Sequence, residues 1–68
     1  MGVNYKRLWK LLIDKDMTKT ELRKRTEMAS STLSKMGRNE NVSLEVLIRI
    51  CHVLDCQLSD IAEIEKKR

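Results

Sequence analysis

Thr18–Gly37 reads TKTELRKRTEMASSTLSKMG, two short helical patterns with only about three residues between them. That is the layout of a helix-turn-helix, whose second helix enters the major groove of DNA. Thr18 opens the first pattern: its hydroxyl can accept from the unpaired N–H groups two or three residues on, and Leu22 and Thr26 follow at helical spacing. Ala29 opens the second. At about 100° per residue, Leu33 and Met36 fall within about 40° of Ala29 and form a narrow inward stripe, whereas Ser30, Ser31, Ser34, Lys35 and Arg38 lie on the opposite side. A solvated helix face more often carries Glu and Lys, because serine is an indifferent helix former. Three serines and a lysine facing outward instead offer hydroxyls and a cation to base edges and phosphates.

Charge is divided along the chain in the same sense. The net charge is +4, but residues 6–38 carry ten Lys or Arg against four acids, and residues 39–65 carry one arginine against six acids, with Lys66, Lys67 and Arg68 beyond them. The basic half is the half that holds the helix-turn-helix, so its field both attracts a polyanion and orients it.

A chain of 68 residues makes one small domain, and such a chain buries only ~60% of the surface its unfolded form exposes. There is no proline, and the glycines are Gly2 and Gly37, so no linker or low-complexity tract divides residues 1–68. No run approaches the roughly 18 apolar residues of a membrane span, and no signal-peptide pattern is present, so a cytoplasmic protein with no membrane partner is expected. Two cysteines are too few for a disulfide scaffold. On one continuing helix Cys51 and Cys56 stand about 140° apart, which argues against a bond between them. Cys51 points into an apolar arc while His52 points out, which argues against shared metal ligation. With one histidine and no convergent acid, base or nucleophile, neither enzyme activity, a cofactor, a metal nor a small-molecule ligand is expected.

The flanking segments complete an all-α pattern of about five short helices. Asn4 can cap a first helix, ending near Asp16, in which Tyr5, Leu8, Trp9 and Leu12 share the core face and Lys6, Arg7, Lys10 and Asp14 the other. Arg38–Val42 is a polar loop, Ser43 caps a fourth helix running to about Asp55, and a final short helix spans about Leu58 to Ile64. Leu44, Val46, Leu47, Ile48, Ile50, Cys51, Val53 and Leu54 cover roughly 220° of the fourth helix, too wide an arc for one partner helix. Val46, Ile50 and Val53 lie at one edge of it and, joined by Ile61 or Ile64, are the expected face for a second copy of the chain.

With these elements placed, the chain resembles the Cro/C1-type, or XRE-like, helix-turn-helix regulators of bacteria and phages, the lambda-repressor-like DNA-binding fold. The resemblance runs from LWKLLIDKDMTKTELRK through SSTLSKMGRNENVSLEVLIRICHVLDCQLSDI. It implies sequence-specific binding to double-stranded DNA by a small transcriptional regulator, a repressor, and because one recognition helix of small side chains falls short of the ~4–10 kcal/mol of specific binding, a homodimer is expected. It implies base contacts from Ser30, Ser31, Ser34 and Lys35. It implies phosphate contacts from Thr18, Lys19, Thr32, Arg38, Asn39 and Asn41. Four positions depart from the family's pattern: Arg23 stands where the two helices cross and a small residue is usual, Glu27 stands where the turn often has glycine, and Leu12 and Gly37 occupy the places of a frequent Arg–Glu pair.

A protein–protein interaction module competes with this assignment. In that case the apolar edge of the fourth helix docks another protein and the DNA-like face is vestigial. It draws on the lack of Arg, Gln or Asn at Ser30, Ser31 and Ser34, the residue types that make bidentate base contacts.

Overall fold

The computed structural model describes residues 2–66. In chain order it has strand β1 (Gly2–Asn4), helices α1 (Lys6–Asp14), α2 (Lys19–Thr26), α3 (Ser30–Gly37) and α4 (Leu44–Leu54), a 3₁₀ turn (Leu58–Asp60) and strand β2 (Glu63–Glu65). The core is drawn from every helix: Tyr5, Leu8, Leu12, Leu22, Met28, Met36, Ile50, Leu54 and Ile61 are all buried. Apolar side chains at helical spacing in α1 and α4 meet there, and α2 packs across α4.

The expected α2 start is present in full. Thr18 Oγ accepts the Glu21 N–H at 3.1 Å while the Glu21 carboxylate accepts the Thr18 N–H at 3.3 Å, a reciprocal cap. Ser43 likewise caps α4 by accepting the Val46 N–H. Asn4 does not cap α1. It is buried in β1, accepting the Lys6 N–H and donating to the Glu65 carboxylate, and Tyr5 holds the cap position.

The fifth helix is absent as such. After the 3₁₀ turn, closed by Asp60 accepting the Gln57 N–H, the chain extends and pairs antiparallel with β1, Val3 opposite Ile64. Gly-Val-Asn and Glu-Ile-Glu both alternate polar and apolar, but three residues are too few to register as strands against a helical background.

The expected self-association face also needs correction. Ile50 and Ile61 are fully buried in the core, so neither can reach a second copy. Val46 and Val53 are half-buried along clefts that α4 shares with α3 and α2, because the helix-turn-helix itself covers that edge. The exposed large apolar side chains are Leu44 and Ile48 on α4, Leu58 and Ile64 beyond it, and Ile13 on α1, and Ile48 lines the α2–α4 cleft together with Val53.

Each α-helix is followed by a residue with positive φ, and none is glycine: Asp16, Glu27, Asn39 and Asp55 at 52–58°. After α1, α3 and α4 the next N–H turns back to the carbonyl five residues earlier, Met17 to Leu12, Glu40 to Lys35 and Cys56 to Cys51, at 2.9–3.0 Å. These are Schellman closures, which bring the two bonded residues' side chains together. The left-handed conformation costs a residue with a Cβ ~1–2 kcal/mol. Part of that is returned by the smaller entropy of its unfolded form. Glu27→Gly is therefore expected to stabilise the domain by about 0.5–1 kcal/mol, measured as a raised urea midpoint at unchanged slope.

Candidate nucleic-acid interface

The α3 face is built from below by packing. Met36 is buried and Leu33 half-buried, which turns Ser30, Ser31, Ser34 and Lys35 to solvent, as expected. Ala29 precedes α3 in extended conformation and offers no side-chain cap, so the first N–H groups of the helix remain available to an anion. Thr32, Lys35 and Asn41 line one shallow cleft with Val42, Ser43 and Val46, which brings three of the expected contact residues together between α3 and the loop behind it.

Lys19 is held by a residue the sequence placed in the core stripe. Trp9 is half-buried, and its exposed ring face carries the Lys19 ammonium 4.3 Å from the centroid. The contact sets the first residue of α2 beside the N-terminal end of the helix, where its charge is free to meet phosphate. The Thr18 hydroxyl is engaged instead in the α2 cap, accepting from Glu21 N–H and donating to its carboxylate at 3.3 Å.

The loop after α3 is braced from α1. Tyr5 donates its phenol to the Glu40 carbonyl at 2.7 Å, and its N–H goes to Asn39 Oδ1 at 3.3 Å. Burial pushes the Tyr5 phenol above its ordinary value, so it stays a donor throughout the physiological range. Asn39 therefore spends its side-chain oxygen on the brace and keeps its amide N–H₂ for a ligand. Asn41 is exposed beyond it.

Arg38 already has an anion. Its Nε donates to the Glu40 carboxylate at 2.6 Å, and both side chains are about half exposed. That hydrogen bond lowers the Glu40 carboxyl and raises the Arg38 guanidinium. A lowered carboxyl keeps the pair in force above the ordinary carboxylate value, and the pair is lost only as pH falls through the depressed one. Nothing in helical periodicity points to this contact; two residues apart in a non-helical loop, it follows from the turn at Asn39.

Arg23, at the α2–α3 crossing, is half-buried and accommodated, Leu12 sits in the core, and Gly37 has open space beside it. The interlocked capped helix, three-residue turn and polar second helix match a family model for the Cro/C1-type HTH DNA-binding domain over residues 7–67. The chain belongs to that family. This Cro/C1-type domain is also similar to a solved structure described as transcriptional regulator VanUg, Form II, with 55% identity, a TM-score of 0.90, and coverage of 91% of this chain and 83% of that one. No curated protein sequence matches it significantly. Among the described residues of the Cro/C1-type domain no helix is long and apolar enough to cross a membrane, and no cluster of three or more His, Cys, Asp or Glu could hold a metal ion.

Proposed function

We propose that the protein is a cytoplasmic transcriptional regulator, a single helix-turn-helix domain that binds double-stranded DNA sequence-specifically and represses by occupying its site. The observation that carries this is the exposed Ser30, Ser31, Ser34 and Lys35 face of α3, flanked by Lys19 on one side and by Arg38 and Asn41 on the other. Such an arrangement sets hydroxyls and one cation at base edges while outer cations and amides grip phosphate. The other contacts proposed for phosphate are Thr18, Thr32 and Asn39, the first through its backbone because its hydroxyl is used in the cap. No catalytic role, cofactor or small-molecule ligand is assigned.

One recognition helix of small side chains is short of the ~4–10 kcal/mol that separates specific from non-specific binding. Two copies on an inverted repeat, ~34 Å apart, supply it. The pairing surface is Leu44, Ile48, Leu58 and Ile64. Selection of bound sites from random duplexes, followed by sedimentation of the complex, tests both parts. An inverted-repeat motif with two protein copies is expected, and Ile48→Asp should halve the stoichiometry. A selection that yields no motif, with binding insensitive to salt, would instead support docking of a different protein on the apolar surface.

Glu40 is the built-in competitor for the DNA at Arg38. Glu40→Gln is expected to raise duplex affinity about 3–10-fold at low salt and to steepen the dependence of log K on log salt by about one unit, because Arg38 is released to a phosphate. Fluorescence anisotropy across a salt series checks both numbers.

A further inference from the structure

The end of α4 places two thiols together that a continuing helix would hold apart. The helix stops at Leu54, Asp55 takes the left-handed conformation, and the Cys56 N–H returns to the Cys51 carbonyl at 3.0 Å. In a Schellman closure those two positions carry the side chains that touch. The same positions hold Leu12 with Met17 after α1, two apolar residues, and Lys35 with Glu40 after α3, two of opposite charge. After α4 they hold two free cysteines, each only half-buried, joined by the backbone bond from the Cys56 N–H to the Cys51 carbonyl. A backbone bond of this length keeps the two Cα atoms within about 7 Å, inside the separation a disulfide can span without moving the chain.

We propose that Cys51 and Cys56 form a redox site, closing a reversible intrachain disulfide when the protein meets a hydroperoxide. Burial, then the neighbouring Cys51, pushes the Cys56 thiol up to about 11, which makes Cys56 the poorer first nucleophile. The Cys51 sulfur, losing its proton, attacks one peroxide oxygen; the O–O bond breaks, the proton leaves with the departing oxygen as water, and Cys51 becomes a sulfenic acid. The Cys56 sulfur then attacks that sulfur, its proton joins the leaving hydroxide as a second water, and the S–S bond forms. Two thiols give two electrons to one peroxide. The bond fixes the turn that leads from α4 into the 3₁₀ turn and β2, and it leaves the α3 face untouched. The closed turn raises the effective concentration of the internal partner above what the short connection alone provides.

The test is intact-mass spectrometry of the folded protein after excess hydrogen peroxide, with peptide mapping. The expected product has lost two hydrogens, links Cys51 to Cys56, is reversed by dithiothreitol, and melts at least about 4 °C above the reduced protein. Cys51→Ser and Cys56→Ser, checked by circular dichroism for retained fold, should show no such melting shift and should instead gain oxygen or couple to a second chain. Thiols that stay fully titratable, oxygen added to Cys51 or Cys56 of the parent protein, or interchain bridges in place of the internal one would each overturn the proposal and leave the pair as an apolar contact of the helix end.

Discussion

Lys35→Glu is expected to lower affinity for duplex DNA by about two to three orders of magnitude in moderate salt, the largest loss from any single exposed position. Lys35 is the cation on the outward face of α3, and it lines the cleft that also holds Thr32 and Asn41. Loss of a base-edge contact costs ~1–3 kcal/mol, and a carboxylate set against the phosphates adds repulsion of similar size. Two features sharpen the effect. Glu40 is already bonded to the Lys35 carbonyl and its carboxylate is stabilised by the Lys35 charge, so the substitution leaves two facing acids. Lys35 also occupies the last turn of α3, where the helix dipole favours a cation, so the fold itself loses ~0.3–1 kcal/mol. Titration of the folded variant against a selected site decides the matter: affinity within threefold of the parent would remove this half of α3 from the DNA.

The second large effect is on stability. Leu22→Ala should destabilise the domain by ~3 kcal/mol, because Leu22 is completely buried where α2 meets α4 and its truncation leaves a cavity. So small a domain sits near the low end of the 5–15 kcal/mol usual for native proteins, and a loss of that size removes a large share of its margin. Urea denaturation monitored through Trp9 should show the midpoint falling at constant slope. Ile13→Ala provides the contrast. Ile13 is 77% exposed on the same kind of helix, and its truncation should move stability by less than ~0.5 kcal/mol.

Helices were legible where the chemistry is local. The Thr18 and Ser43 caps, the Leu8 and Leu12 stripe and the inward Met36 all follow from residue type and a period of 3.6, and each is in place. The outward face of α3 was legible for the same reason. What escaped depends on where distant segments land. Eight apolar residues wrap most of α4, and no wheel can tell which of them stay exposed until α2 and α3 have covered Val53 and Val46; those left exposed are Leu44 and Ile48, the latter beside Val53 in the α2 cleft. β1 and β2 exist because the two ends of the chain meet, and neither has a signal of its own. The Arg38–Glu40 pair and the Cys51–Cys56 contact both depend on left-handed residues, Asn39 and Asp55, at sites where glycine would have announced the turn.

The pairing of Gly2 with Glu65 has a topological meaning. It sets Gly2 and Glu65 opposite each other on one rung of the ladder, so the backbone from residue 2 to residue 65 is already almost a ring. Folding must close that ring against a chain entropy on the order of 3–4 kcal/mol, and a covalent peptide linker between the ends would take the closure out of the folding reaction. The same adjacency makes new termini tolerable at an exposed loop such as the one around Asn41 only at the expense of the α3 brace. The sparing place to open the ring is the α1–α2 turn at Asp16, away from the hydrogen bonds of Tyr5.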